Sequence, residues 1–165
     1  MNIFRLDDDP AVAAYFHCDK HVGKMLIESC QMLAAAQHLL GGTASYKLTH
    51  QNHPCAIWVR QSDANYLWLR DLAQALGMEF FDRYGKTHKS HLVLQSELAE
   101  LPPDIPRCPA TPVALAMPDE FKMTDAVYAY QIYYASKRKA FKMTWHGSDI
   151  GPKWFEEICA EELAA

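Results

Sequence analysis

The sequence predicts an all-α protein, a single-domain bundle of five or six helices with one long proline-rich crossover loop. Three observations lead there. Apolar residues recur at helical spacing over most of the 165 positions. Helix-opening signals punctuate the chain at Asp9-Pro10, Asn52-His53-Pro54, Ser62-Asp63 and Thr124-Asp125. Finally, six prolines fall between Leu101 and Pro118, a stretch that cannot be regular helix.

In chain order, Asn2 to Leu6 reads as a short strand or an extended arm. Asp9 caps a short helix that starts at Pro10 and reaches about His17, where it can run on into the next. His17 to Leu40 is the stretch around which the rest is organised. Val22, Leu26, Ser29/Cys30, Leu33, Ala36/Gln37 and Leu40 form its apolar face, Asp19 can cap its start and Gly41 can end it in the left-handed conformation. Gly41 to Thr49 is a loop, and a short helix opens at Pro54. Asp63 to Tyr84 is a separate long helix that Gly85 stops. A shorter helix follows from Thr87 or Ser90 to Glu100. The proline-rich segment 101–118 is then a lid or a strap across the core. A tyrosine-rich helix runs from Thr124-Asp125 to about Phe141, and a last short helix begins at Gly151-Pro152. Residues 1–165 therefore read as one helical domain.

Composition narrows the function. Half of the residues are apolar and 22% are charged, which is globular and unlike a disordered chain. The formal net charge of −4 argues against coating nucleic acid by bulk electrostatics, though it allows a local basic pocket. Five scattered cysteines with no Cys-x-x-Cys pair suggest reduced thiols in a cytoplasm. No signal peptide and no membrane-spanning run is visible, so a soluble cytoplasmic protein without a membrane partner is expected. P-loop, dinucleotide-binding, serine-hydrolase and zinc-deaminase motifs are all absent.

The long helix carries the unusual chemistry. His17, His21, Lys24, Glu28 and Gln31 fall at i, i+4, i+7, i+11 and i+14, which is one stripe. Two imidazoles, an ammonium and a carboxylate on a helix that is otherwise apolar point to the wall of a polar pocket. His17 and His21 are general acid/base candidates there, with Glu28 or Asp19 orienting one ring. A second group is cationic. Asn52-His53-Pro54 opens a helix whose free N–H groups favour an anion, and Arg60 lies on the same face as His53. With Lys20, Lys24, His88 and Lys122, these residues form a candidate phosphate-binding set. Asn65 and Tyr66 are candidates to read or stack a base. The pairs His17/His21, His50/His53 and His88/His91 would suit a metal only if further ligands converged, so no metal ligand is assigned.

Five blocks are distinctive: His17-Cys-Asp-Lys-His-Val22, Asn52-His-Pro-Cys-Ala-Ile-Trp-Val-Arg60, Asn65-Tyr-Leu-Trp68, Arg83-Tyr-Gly-Lys-Thr-His-Lys-Ser90 and Ala116-Met-Pro-Asp-Glu-Phe-Lys122. In this order they resemble a family of short proteins encoded by tailed bacteriophages, over Met1 to about Lys139. The resemblance implies a viral protein in the host cytoplasm, tied to nucleotide or DNA metabolism, and supplies no reaction. Gly23 departs from the bulkier apolar residue of that block, which would loosen the helix.

Three readings stay open. The first is an enzyme acting on a phosphate-bearing substrate, a nucleotide or a base in nucleic acid. The second is a non-catalytic protein that binds nucleic acid or a host protein. The third is a histidine-ligated metalloenzyme. Catalysis requires the stripe, His53, Arg60 and His88 to converge on one cavity, whereas a binding module would spread them over a surface. Cofactor and oligomeric state are left undefined by the sequence.

Overall fold

The computed structural model describes residues 1–164 as helices α1 (Pro10–Phe16), α2 (Asp19–Leu39), α3 (Pro54–Val59), α4 (Asp63–Tyr84), α5 (Lys89–Val93), α6 (Ala126–Ala135) and α7 (Lys153–Ala164). Helix accounts for 58% of the chain, and no strand occurs among the described residues. Seven helices thus replace the five or six expected. The chain turns extended at His17 and Cys18, so α1 and α2 are separate. The α5 helix is short and continues as a π-helical turn, Leu94–Leu98. Likewise, α6 gives way to a 3-10 turn at Ser136–Lys139 before Phe141.

The α2 helix is the axis of the core and packs against α3, α4 and α5, while α1 lies on α4 and α7 on α6. Val22, Leu26, Leu33 and Ala34 to Ala36 of α2 are fully buried, as are Leu69, Leu72 and Leu76 of α4. Each such leucine contributes roughly 1.5–3 kcal/mol by leaving water. Gly23 does not loosen α2, which runs through it unbroken. A Cβ there would stand 3.0 Å from Phe80 of α4, so the glycine lets that ring approach the helix backbone. Gly41 ends α2 at φ +82, the left-handed conformation its type favours.

Two irregular segments tie the bundle. The amino-terminal arm forms no strand. Ile3 and Leu6 are buried, and the buried Asn2 accepts the Ile3 and Phe4 N–H groups through Oδ1 and donates to the Ala116 carbonyl. Segment 101–118 is a strap rather than a lid. The Asp104 N–H reaches the Leu40 carbonyl, Pro106 accepts the Asp63 N–H, and Ala116 donates to the Tyr130 hydroxyl. No helix is long and apolar enough to cross a membrane among the described residues.

Candidate functional site

The middle of the polar stripe opens into a cleft of about 220 Å³ between the first half of α2, the amino-terminal arm and the end of α6. His21, Lys24, Met25 and Glu28 form its α2 side, Met1, Asn2 and Phe4 come from the arm, and Tyr133, Lys137 and Phe141 close it. Helical spacing dictates the α2 contribution: positions 21, 24, 25 and 28 share one face. On the opposite wall, Tyr133 comes from α6, Lys137 from the 3-10 turn that follows and Phe141 from the irregular chain beyond it.

His21 is buried, with Nδ1 3.0 Å from the Tyr134 hydroxyl and its ring stacked on Phe4 at 5.7 Å between centroids. Its Nε2 makes no hydrogen bond with the described residues, is not among the enclosed unpartnered atoms, and belongs to a ring that lines the cleft. Burial, reinforced by the Lys24 and Lys137 ammonium groups, pushes its pKa down to about 4, so the ring is neutral at pH 7. Glu28 accepts the Asn2 N–H through Oε2 at 2.8 Å, and the Met1 amine lies 3.7 Å from the same oxygen. Its Oε1 takes no hydrogen bond from the described residues. Lys137 lies 3.9 Å from the Tyr133 ring centre and Lys20 lies 5.1 Å from that of Phe141. Among the described residues, Lys20, Lys24 and Lys137 pair with no carboxylate, whereas Arg138, Lys139 and Lys142 do.

The other candidates go elsewhere. His17 caps α1, fully enclosed, and donates from Nδ1 to the Ala13 carbonyl at 2.7 Å; burial drops its pKa to about 3. It does not reach the cleft. Asp19 neither caps α2 nor orients an imidazole. Its carboxylate accepts from Arg83, the Thr144 hydroxyl and the His146 and Gly147 N–H groups. Burial opposes its ionisation, but those donors outweigh burial and hold its pKa below the ordinary value. Cys18, which takes the cap position, makes no side-chain cap bond.

The expected phosphate set does not converge. Asn52 is exposed. His53 caps α3 by accepting the Cys55 N–H, and burial together with the Met1 amine lowers its pKa. Arg60 spends Nη1 on the carbonyls of Gln51, at 2.6 Å, and Ala56, at 3.2 Å. His88 caps α5 through the Ser90 N–H and packs edge-on against Phe80. Lys122 pairs with Asp119 at 2.6 Å. Asn65 and Tyr66 present no face to a base, because both are fully buried. Asn65 binds the Trp58 carbonyl and both polar groups of Thr111, and the Tyr66 hydroxyl sits between Gln37 and the Leu98 carbonyl. No three His, Cys, Asp or Glu side chains among the described residues are placed to share a metal, which leaves the metalloenzyme reading without a ligand set.

Sequence reasoning missed Phe4, Tyr133, Tyr134, Lys137 and Phe141. A partial signal existed in the i, i+4 spacing of Tyr133 and Lys137, but the chain leaves the helix before Phe141. A larger cavity, about 490 Å³ beside Tyr15, Trp145, His146 and Ile150, has no lysine or arginine in its lining. Comparison with protein-family models, curated proteins and solved structures finds no match for this chain.

Proposed function

We propose that the cleft between α2, the arm and α6 binds a phosphate-bearing aromatic ligand of the nucleotide class. The observation that carries this is the pair Lys24 and Lys137 in the cleft lining, without carboxylate partners among the described residues, on a chain of net charge −4, with Lys20 nearby over the Phe141 ring. Unpaired ammonium groups that face one cavity raise the local concentration of anions against the overall charge. Phe4, Tyr133 and Phe141 line the cleft and offer apolar contact to a ring, and Glu28 Oε1 can accept an N–H or O–H from it.

An enzyme acting on such a substrate would draw on the same groups. The ammoniums and the His21 ring would stabilise charge on a phosphoryl oxygen, and Glu28 would accept a proton. Binding without catalysis is favoured by one finding: His53, Arg60 and His88 lie outside the cleft. We place the protein, from its five sequence blocks, in the nucleotide or nucleic-acid metabolism of tailed phages in the host cytoplasm.

Calorimetric titration with nucleoside mono- and diphosphates tests this. Lys24→Met and Lys137→Met are each expected to weaken binding about tenfold, or about 1.4 kcal/mol. If the variant combining Lys24→Met with Lys137→Met binds as the wild type does, or the wild type binds no nucleotide, the reading fails.

A further inference from the structure

Tyr134 stands behind the cleft with its hydroxyl wholly enclosed. A phenol carries one proton and can accept one or two more hydrogen bonds. Here the backbone N–H of Cys18 donates to that oxygen at 2.9 Å, which fills one acceptor position. The phenol proton needs a partner of its own, because a buried donor left unmade costs the desolvation of that group. The nitrogen in reach is His21 Nδ1, at 3.0 Å. The Cys18 thiol lies beside the same hydroxyl, but a thiol sulfur is a weaker acceptor than an imidazole lone pair. The Tyr134 proton therefore points at Nδ1, which must carry the lone pair. The ring proton is left on Nε2, the nitrogen that faces the cleft.

We propose that Tyr134 holds His21 in the neutral Nε2–H tautomer, as a fixed hydrogen-bond donor for the phosphate end of the ligand. This deepens the nucleotide-class reading of the cleft and rests on it for the identity of the ligand. Phosphate oxygens only accept, so they match an N–H and two ammonium groups at one end. Glu28 Oε1, which only accepts, is left for the N–H or O–H groups of the base or sugar. The polarity of the cleft thus sets the direction in which a nucleotide lies. Phe4 stacked on His21 keeps the ring from turning over. Tyr134 acts through His21 and is a positioning residue.

The test is a long-range proton–nitrogen NMR spectrum of histidine-labelled protein at pH 7, with His21 assigned by its loss in His21→Gln. The expected pattern has a protonated-type Nε2 and a lone-pair-type Nδ1. Addition of inorganic pyrophosphate should move the Nε2 resonance in the wild type. Tyr134→Phe should mix the two tautomers and weaken pyrophosphate binding five- to tenfold. The opposite tautomer in the wild type overturns the proposal, and that spectrum decides even if Tyr134→Phe does not fold. The stated tautomer with a His21 signal that pyrophosphate leaves unmoved overturns the phosphate placement. Because the tautomer is read without ligand, that outcome is distinguishable from a failure of the Tyr134 lock.

Discussion

The Arg83 guanidinium, 2% exposed, donates to the Asp19 carboxylate at 3.1 Å and to the carbonyls of His17 and Tyr15 at 2.7 and 3.1 Å. A second carboxylate, Glu79, one turn back on α4, accepts from the same side chain at 2.7 Å. One arginine thus fastens the break between α1 and α2 to the end of α4, and through Asp19 it also secures the turn at His146-Gly147. This clasp fixes the angle at which α2 enters the core and so the orientation of His21. Arg83→Met should cost roughly 3–5 kcal/mol, because it strands partly buried carboxylates and carbonyls. Urea unfolding checks this, and a loss under about 1 kcal/mol would mean that the clasp is not a main support.

Acid should unfold the protein early. His17 and His21 have folded-state pKa values pushed down to about 3 and about 4 from 6.5, in both cases first by burial. Well above pH 6.5 the rings are uncharged in both states and nothing is lost. Below about 6.5 the unfolded chain takes up protons that the native rings refuse, so stability falls as pH falls. The slope approaches roughly 1.4 kcal/mol per pH unit for each ring until the folded pKa is reached. His53, His88 and His91 shift in the same direction, with burial as the first cause. Urea midpoints at pH 7.5 and 5.0 measure the effect, and equal midpoints would contradict the burial of these rings.

The two long helices and the absence of helix from 101–118 were legible in the sequence because their signals are local. Ser62 caps α4 through the Asn65 N–H, Gly85 ends it at φ +65, and prolines exclude helix from 101–118. The site was half legible. Helical periodicity alone puts His21, Lys24 and Glu28 on one face, but it says nothing of what that face meets. Asn65, Arg60 and Asp19 looked functional because a polar residue in apolar surroundings has two explanations, a ligand or a distant backbone group. For Asn65 that group is Thr111, 46 positions away, and for Asp19 it is the turn more than 120 positions away. Local spacing carries no trace of such partners.

Asn65 offers a direct check of that distinction. In a fully buried position, its amide holds the strap to α4 by two hydrogen bonds with Thr111, one from Nδ2 and one to Oδ1, and ties α3 to α4 by a third, from Nδ2 to the Trp58 carbonyl. Asn65→Ala should destabilise by roughly 2–4 kcal/mol, as buried polar groups of Thr111 and Trp58 lose their partners. Hydrogen exchange at Thr111 should accelerate while the wild-type affinity for nucleotide is kept. Lost affinity with Thr111 exchange unchanged would return Asn65 to the ligand site.

Arg60 should behave as a support for α3. It caps that helix and restrains the preceding loop through the carbonyls of Gln51 and Ala56. Arg60→Ala is expected to cost about 1–2 kcal/mol of stability and to leave nucleotide binding within twofold. A loss of binding in a variant as stable as the wild type would show that the guanidinium reaches a ligand after all.

Lys24 provides the sharpest test of the cleft, because its charge acts on both the ring and the ligand. It is exposed at the cleft, and its ammonium is the largest electrostatic contributor to the low His21 pKa after burial. Lys24→Met keeps most of the apolar stem and removes the charge. The fold should persist, since Lys24 is exposed and forms no ion pair among the described residues, with a stability change under about 0.5 kcal/mol. The His21 titration should move upward yet remain below 6.5, because burial still disfavours the charged ring and Lys137 still faces it. Nucleotide affinity should fall at the same time, and the fall should be smaller in high salt, where the lost ammonium was already screened. The two readouts separate the possibilities. An upward-moved His21 with unchanged affinity would leave the electrostatics of the cleft intact and remove the ligand from it. An unmoved His21 would mean that Lys24 turns away into solvent, and the cleft would lose one of its cations.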